Sequence, residues 1–284
     1  MKKFLFVAKA VCSATLLIVL VTGCQRERWI DNDELEVRRS VMAEDYFDDA
    51  STVTDQAMLS DGTTLDNYKT DGVGDALGEC ATVTRDEPNK TITIEFGKQT
   101  DGSYANCLCK DGKNRRGKIV VTYTGAYREV GTEITTNMVD FYVNDNKVEG
   151  TKVVKNMGEN TAGNVYFTLH ADGKITLASN NQVMTWVTDR EREWLEGFDT
   201  KTWVDDVYRV TGGGSGVKAD GLTYTVQITK ALIRKVACRQ FVAGIVEVTP
   251  GSKAKRTIDF GNGECDNEAV VSIGNRSKTI TLKH

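Results

Sequence analysis

From Cys80 to the end of the chain, apolar residues recur at every second position in short runs, and turn-forming residues separate the runs. Ile119, Val121 and Tyr123 form one set, Val139, Phe141 and Val143 a second, Val165, Phe167 and Leu169 a third, and Leu222, Tyr224, Val226 and Ile228 a fourth. A period of two places every member of a set on one face of a strand. Between the sets lie Asp111-Gly112, Asn144-Asp145-Asn146, Asp172-Gly173, Asn180-Asn181, Gly212-Gly213-Gly214, Asp220-Gly221 and Gly274-Asn275, residues whose backbones turn at little cost. Short strands with tight connections imply an antiparallel meander with one buried face. The balance of 26 glycines against two prolines, with apolar segments rich in Val, Thr, Ile and Tyr, favours strands in the same way. The expected class is therefore all-β, an antiparallel β-meander arranged as a large twisted sheet, a sandwich or a barrel-like form, with a short N-terminal helical segment.

That helical segment is read from residues 25–60, where Val37, Val41, Met42, Tyr46, Phe47, Val53, Ala57 and Met58 recur at roughly helical intervals. It is either a tether that lifts the domain off a membrane or a helix docked on the sheet. Docking is the expectation, because Tyr46 and Phe47 are otherwise left in water. Asp61 to Gly78, with Asp-Gly and Gly-Asp pairs and no periodicity, reads as a loop.

One motif occurs twice. Thr257-Ile258-Asp259-Phe260-Gly261 and then Cys265 repeat, in worn form, Ile92-Thr93-Ile94-Glu95-Phe96-Gly97 followed by Cys107 and Cys109; a proline (Pro88, Pro250) and a cysteine (Cys80, Cys238) precede each copy in the same order. This recurrence reads as two disulfide-stapled hairpins at the start and close of one meander.

The first residues carry an address. Met1-Lys2-Lys3 is a positive start, and Val11 to Val21 is an apolar run of signal-peptide length, too short to span a bilayer. The run closes on Leu20-Val21-Thr22-Gly23-Cys24, which resembles the lipobox of bacterial lipoproteins, where the cysteine is acylated and becomes the mature N-terminus. The expected organisation is a signal peptide over 1–23, a lipidated N-terminus, tether and helical segment over 24–79, and a β-rich domain over 80–284. Acyl chains contribute about 0.8 kcal/mol per buried methylene, enough when several are present to hold a protein on a membrane without a transmembrane helix. Gln25 follows the cysteine where an Asp would resemble an inner-membrane retention signal, so the resemblance implies the outer membrane. Which side of it the domain faces stays open.

Of seven cysteines, Cys12 leaves with the signal and Cys24 is the lipidation site. Cys80, Cys107, Cys109, Cys238 and Cys265 remain in an oxidising compartment, an odd set that leaves one thiol unpaired. Cys80 with Cys107 and Cys238 with Cys265 have equal sequence separations and matching places in the two motif copies, which makes them the first choice; Cys80 with Cys109 is the competitor. Cys107-Leu108-Cys109 as a zinc or redox site is disfavoured, because zinc sites want longer spacing and His or Cys partners nearby.

Cys107-Leu108-Cys109-Lys110-Asp111-Gly112, Arg115-Arg116-Gly117-Lys118-Ile119 and Tyr123-Thr124-Gly125 together resemble a family of uncharacterised lipoproteins from Bacteroidota. So do Tyr142 to Thr151, Asp206-Val207-Tyr208-Arg209-Val210-Thr211-Gly212 and Asp259 to Asn267. The resemblance covers most of the chain and implies a lipoprotein with a β-rich fold. It implies no activity, substrate, cofactor or catalytic residue.

The residues themselves carry little catalytic signal. A formal net charge of -4 leaves no footprint for nucleic acid. A hydrolase needs a nucleophile with a base, or two carboxylates across a cleft. The two histidines are His170, at the end of a strand, and His284, the terminal residue. Asp205-Asp206 and Asp189, Glu191 and Glu193 are abundant acids that nothing in the sequence pairs across a site. Asn144-Asp145-Asn146 and Asp266-Asn267 offer oxygen ligands for calcium, but without the spacing of an EF-hand loop they read as turns. Gly212-Gly213-Gly214-Ser215-Gly216 lacks the Lys and helix of a phosphate cradle and reads as a flexible hairpin loop. The basic stretch Lys113 to Lys118 reads as a charged loop tip, and Thr188 to Glu196 as a solvated strand face or hairpin tip. Trp186, Trp194 and Trp203 read as core anchors in preference to an exposed platform for sugars. No catalytic, cofactor-binding or metal-ligating residue is assigned. The expectation is a lipid-anchored cell-envelope module whose partners are the membrane, through acylated Cys24, and a glycan or protein; the alternative is a hydrolase acting on envelope or dietary polysaccharide.

Overall fold

The computed structural model describes residues 46, 49–59, 80–200, 202, 204–218, 220–238 and 240–282. Residues 49–59, and Tyr46 before them, are helical and are called α1 here. The strands are β1 (Ala81–Asp86), β2 (Thr91–Phe96), β3 (Cys107–Leu108), β4 (Asn114–Tyr123), β5 (Glu133–Val143), β6 (Asn146–Glu159) and β7 (Val165–Thr176). They continue as β8 (Val183–Glu196), β9 (Val207–Val217), β10 (Thr223–Lys235), β11 (Gln240–Pro250), β12 (Arg256–Asn262), β13 (Glu268–Ile273) and β14 (Arg276–Thr281). All belong to one 14-stranded antiparallel sheet in sequence order, except that the short β3 pairs with β4 where β2 has ended. β1 and β14 each have one neighbour, so the sheet is open. Of the three arrangements left by the alternation, the open sheet is the one adopted.

Alternation decides which face is buried. In β2 the sequence Thr-Ile-Thr-Ile-Glu-Phe buries Ile92, Ile94 and Phe96, and in β11 Val242, Val246 and Val248 follow the same rule. Pairing aligns these residues into rows. One row runs Ile94, Ile119, Met138, Gly150, Gly173, Trp186, Gly216, Tyr224, Pro250 from β2 to β11. It passes mid-strand through β4 at Ile119 and reaches the last residue of β11 at Pro250. Strand ends are therefore staggered, as in a sheet whose strands tilt about a common axis.

α1 lies against the buried face of β1 to β8. Ala50, Val53 and Ala57 are fully buried and Met58 and Leu59 nearly so. A buried Val or Met side chain contributes about 1.5–3 kcal/mol, so the helix adds to the core and is not a free tether. The other face is polar: Lys147 reaches Asp140 and Glu149, and Lys174 reaches Glu149 at 2.9 Å.

Three local readings of the sequence are corrected by this register. Val139, Phe141 and Val143 do not share a face: the register shifts by one residue between Met138 and Phe141, Asp140 adopts φ 46°, and Val139 is left exposed while Met138 and Phe141 point inward. The bulge is a fixed feature of the sheet, because a Cβ on the facing Gly117 would stand 1.9 Å from the Asp140 carbonyl oxygen. Asp172-Gly173 is not a turn but lies inside β7, with Gly173 opposite Trp186. Gly212 to Gly216 is not a loop either; it is the body of β9. A Cβ on Gly216 would meet the Thr185 carbonyl at 2.0 Å and the Tyr224 ring at 2.8 Å, so bare backbone is what fits between Trp186 of β8 and Tyr224 of β10, its partners on either side.

Two disulfides close the repeated motifs. Cys80, just before β1, joins Cys107 in β3, and Cys238, in the short 3-10 turn Val236–Cys238 before β11, joins Cys265 beyond β12; each spans a sequence separation of 27. Cys109 is a buried free thiol, its pKa pushed up by that burial. The two copies thus share strand, turn, strand and bridge, with Gly97 just after β2 and Gly261 near the end of β12 both at positive φ.

Candidate functional site

The seat of α1 is the most chemically loaded part of the described structure. Asp49 in the helix is buried and meets Arg115 of β4, whose Nε donates to Oδ2 at 3.0 Å and whose Nη2 donates to Oδ1 at 2.5 Å. Lys113 Nζ donates to the same Oδ1 at 2.9 Å, and Asp111 takes the far side of the Arg115 guanidinium. Burial alone pushes the Asp49 carboxyl up, but the charges and hydrogen bonds of Lys113 and Arg115 outweigh it and hold the pKa below its ordinary value. Further along the helix, Ser51 pairs with Lys152, and Thr54 meets Thr136 at 3.2 Å. Asp55 receives Arg192 at 2.8 Å, and the Arg85 guanidinium donates to the Ala57 carbonyl at 2.6 Å. Each of these polar groups is matched across the interface, which is what permits an otherwise apolar face to contain them.

Beyond Asp55 the seat merges with a cluster of aromatic rings and two arginines. Arg192 lies between the rings of Phe167 and Tyr208, 5.3 and 5.0 Å from their centroids, and donates to the Tyr127 hydroxyl at 2.6 Å. Arg128 lies 4.5 Å from Phe198 and 5.3 Å from Trp194, with its Nη1 on the Phe198 carbonyl. Its Nε and Nη2 are buried without a hydrogen-bond partner, so the ring faces carry much of what holds that charge. Trp194 and Tyr208 both donate to the fully buried Asp206, at 3.3 and 2.7 Å. On the opposite face Glu193 accepts from Asn160, Asn164 and Arg209, fastening the loop after β6 to β8 and β9. Burial raises the Glu193 pKa, but those three donors more than reverse it. Apart from Arg128 Nε and Nη2 and Arg192 Nε, which are buried against ring faces without a hydrogen bond, these groups are satisfied within the chain, and their chemistry is that of a polar-stapled core.

The residues singled out in the sequence scatter over this frame. His170 and Asp189 face each other across β7 and β8, Nδ1 to Oδ1 at 2.7 Å, on the exposed face. Asp205 accepts from Thr200, whereas its neighbour Asp206 is sealed in the core. Asp189 and Glu191 are exposed, yet Thr188, Glu193 and Trp194 are buried, so Thr188 to Glu196 is an internal strand and not a hairpin tip. Asn144 and Asp145 make the β5–β6 turn, with Asp145 held by Arg116 and Asn106. Lys113 to Lys118 is no loop tip: β4 begins at Asn114, and Lys113 and Arg115 turn into the seat of α1. Trp186 and Trp194 are core residues, 2% exposed. Cys24, Trp203 and His284 lie outside the described residues.

The seat was missed because its halves are far apart: Arg115 pairs with Asp49, and Arg192 with Asp55, over separations of 66 and 137 residues. A signal for the strand half exists. Arg115 is in phase with Ile119 and Val121, Lys152 with Val148 and Val154, and Arg192 with Trp186 and Trp194. A charge in the apolar phase of a strand is a buried charge that demands a partner. Among the described residues no group of three or more His, Cys, Asp or Glu side chains is placed to hold a metal ion, and no helix is long and apolar enough to cross a membrane. No protein-family model, no curated protein and no solved structure matches the chain.

Proposed function

We propose that this chain is a lipid-anchored cell-envelope protein of the outer membrane, held by acylated Cys24, whose sheet serves as a binding or structural module. The anchoring rests on the leader, its apolar run and the lipobox-like ending at Cys24. The resemblance to Bacteroidota lipoproteins supports the same reading.

The module reading rests on one observation about the fold: α1 fills the buried face of β1 to β8 and its polar groups are consumed by Arg115, Lys113, Lys152, Thr136 and Arg192. A partner therefore meets the outer face, the edges or the ends of the strands. A hydrolase reading has one feature in its favour, the His170–Asp189 pair, but both side chains stand more than half exposed on the outer face, where water competes with any charge they develop.

The test of the anchor is Cys24→Ser in the full chain, with fractionation and incorporation of a labelled fatty acid. Loss of both label and membrane association is expected; retention in the membrane fraction overturns it. Incubation of the full chain with a panel of polysaccharides separates the two modes: retention without product supports a module, and release of sugar fragments supports the hydrolase.

A further inference from the structure

The strands of this sheet have two ends, and charge is divided between them. At the end where β4, β6, β8, β10, β12 and β14 begin, Lys98, Lys110, Lys253, Lys255, Arg276 and Lys278 are exposed. Asp101, Asp140, Asp145 and Asp220 share that end, but Asp145 is held by Arg116 and Asp140 lies 3.5 Å from Lys147. Lys98 and Lys255 are partly offset by Glu95 and Glu247. The opposite end exposes Glu87, Glu129, Glu196, Asp199, Glu264, Asp266 and Glu268 against the cations Lys90 and Arg209, the second of which is paired with Glu193. The small formal net charge of -4 therefore hides a basic end and an acidic end.

Exposed apolar side chains occur at both ends, Val130 at the acidic one and a group of four at the basic one. Leu108 is 68% exposed beside Lys110, and Val183, Val217 and Leu222, at the start of β8, the end of β9 and just before β10, are 37–44% exposed. Cations beside solvent-exposed aliphatic groups are the composition of a surface that rests in a lipid headgroup layer, the ammonium on phosphate and the aliphatic group just below it.

The polarity of α1 places its first residues at the same end. Tyr46 bonds Asn146 at the β5–β6 turn, and Asp49 bonds Arg115 at the start of β4. Asp55 bonds Arg192 towards the far end of β8. Cys24 precedes Tyr46 by 22 positions, at most about 75 Å of extended chain. That reach allows either end to approach the membrane, so charge decides. An anionic surface attracts the basic end and repels the acidic one, and it does so only within about 10 Å.

We propose that this basic end is a membrane-facing surface that docks on anionic phospholipid headgroups, orienting the sheet upright with its acidic end outward. The inference rests on the lipid anchor at Cys24 and adds to it the face presented to the bilayer. Each cation brought to such a surface strengthens association about fivefold at low salt.

The test uses the full chain, produced in a bacterium that acylates lipoproteins and purified in detergent. It is reconstituted with vesicles of phosphatidylcholine alone or with one third phosphatidylglycerol, and lysines are labelled with an amine-reactive reagent and read by mass spectrometry. Flotation with both vesicle types, with labelling of Lys110, Lys253, Lys255 and Lys278 reduced at least threefold only on the anionic vesicles, is the expected result. Lys90 and Lys155 stay unchanged, and the protection disappears in half-molar salt. Flotation with both but equal labelling, or protection of Lys90 instead, overturns the inference and leaves the anchor standing. Flotation with neither overturns both. Flotation with anionic vesicles alone, with the same lysines protected, overturns the anchor and supports the surface. Lys253→Glu with Lys255→Glu, two exposed turn positions, abolishes the protection if the surface is right.

Discussion

Asp49 of the helix and Arg115 of β4, 66 residues apart, form a two-point hydrogen-bonded ion pair in which the arginine side chain is fully buried and the carboxylate nearly so. The pair ties α1 to the sheet. Removing one partner leaves the other with a single ion-pair partner, Asp111 for Arg115 or Lys113 for Asp49, and the cost of breaking a buried pair sets an upper bound of about 3–5 kcal/mol. Asp49→Ala and Arg115→Ala are each expected to lower unfolding free energy by up to that amount in urea denaturation. Their double variant is expected to lose less than the sum, by about 0.5–3 kcal/mol of coupling. Strict additivity would show that the two side chains do not meet.

Acid should loosen the same link. The Asp49 and Glu193 pKa values are both held below their ordinary carboxylate values by their donors, although burial opposes this in each case. A carboxyl whose folded pKa is depressed contributes stability that is present above the unfolded pKa, near 4, and is lost as pH falls through the folded value. Unfolding free energy is therefore expected to hold from pH 7 to about pH 5 and to decline below about pH 4. Asp49→Asn, less stable at pH 7, should show a shallower decline. An unchanged acid slope in that variant would remove Asp49 from the account.

How much of this was legible in the sequence depends on the range of the interaction. The strand phases of Ile92, Ile94 and Phe96 are local, since neighbours two residues apart share a face whatever the rest of the chain does. The bulge at Asp140 and the glycine strand β9 were not legible, because both are set by a facing strand: Gly117 in the first case, Trp186 and Tyr224 in the second. Turn chemistry read from Gly212-Gly213-Gly214 was correct about backbone freedom and wrong about its use. The helix seat needed both a phase violation at Arg115 and knowledge that Asp49 lies above it, and only the first is written locally.

The two bridges give a prediction that separates their roles. Each closes a separation of 27 residues, for which loss of chain entropy in the unfolded state is worth about 3.5 kcal/mol. Cys238→Ala with Cys265→Ala is expected to lower stability by about that amount in non-reducing denaturation. Cys109→Ala is expected to leave both bridges intact in a non-reduced digest, since the thiol is buried and unpaired. A Cys80–Cys109 peptide in the wild-type digest would contradict the pairing.

The glycine at 216 tests whether the closeness of β8, β9 and β10 is imposed by sequence. A methyl group there meets the Thr185 carbonyl oxygen at 2.0 Å, which is backbone, and the Tyr224 ring and hydroxyl at 2.8 Å. The ring could swing away, but the carbonyl moves only if β8 moves, and β8 carries Trp186 directly opposite. Overpacking of this kind costs about 1–3 kcal/mol. Gly216→Ala is therefore expected to destabilise by that order and to change tryptophan fluorescence, whereas Ser215→Ala, one residue away and exposed, should do neither. Adding Tyr224→Ala to Gly216→Ala removes the ring contact but not the carbonyl contact, so it should fail to restore stability. Full restoration would mean that the ring, and not the approach of β8, requires the glycine.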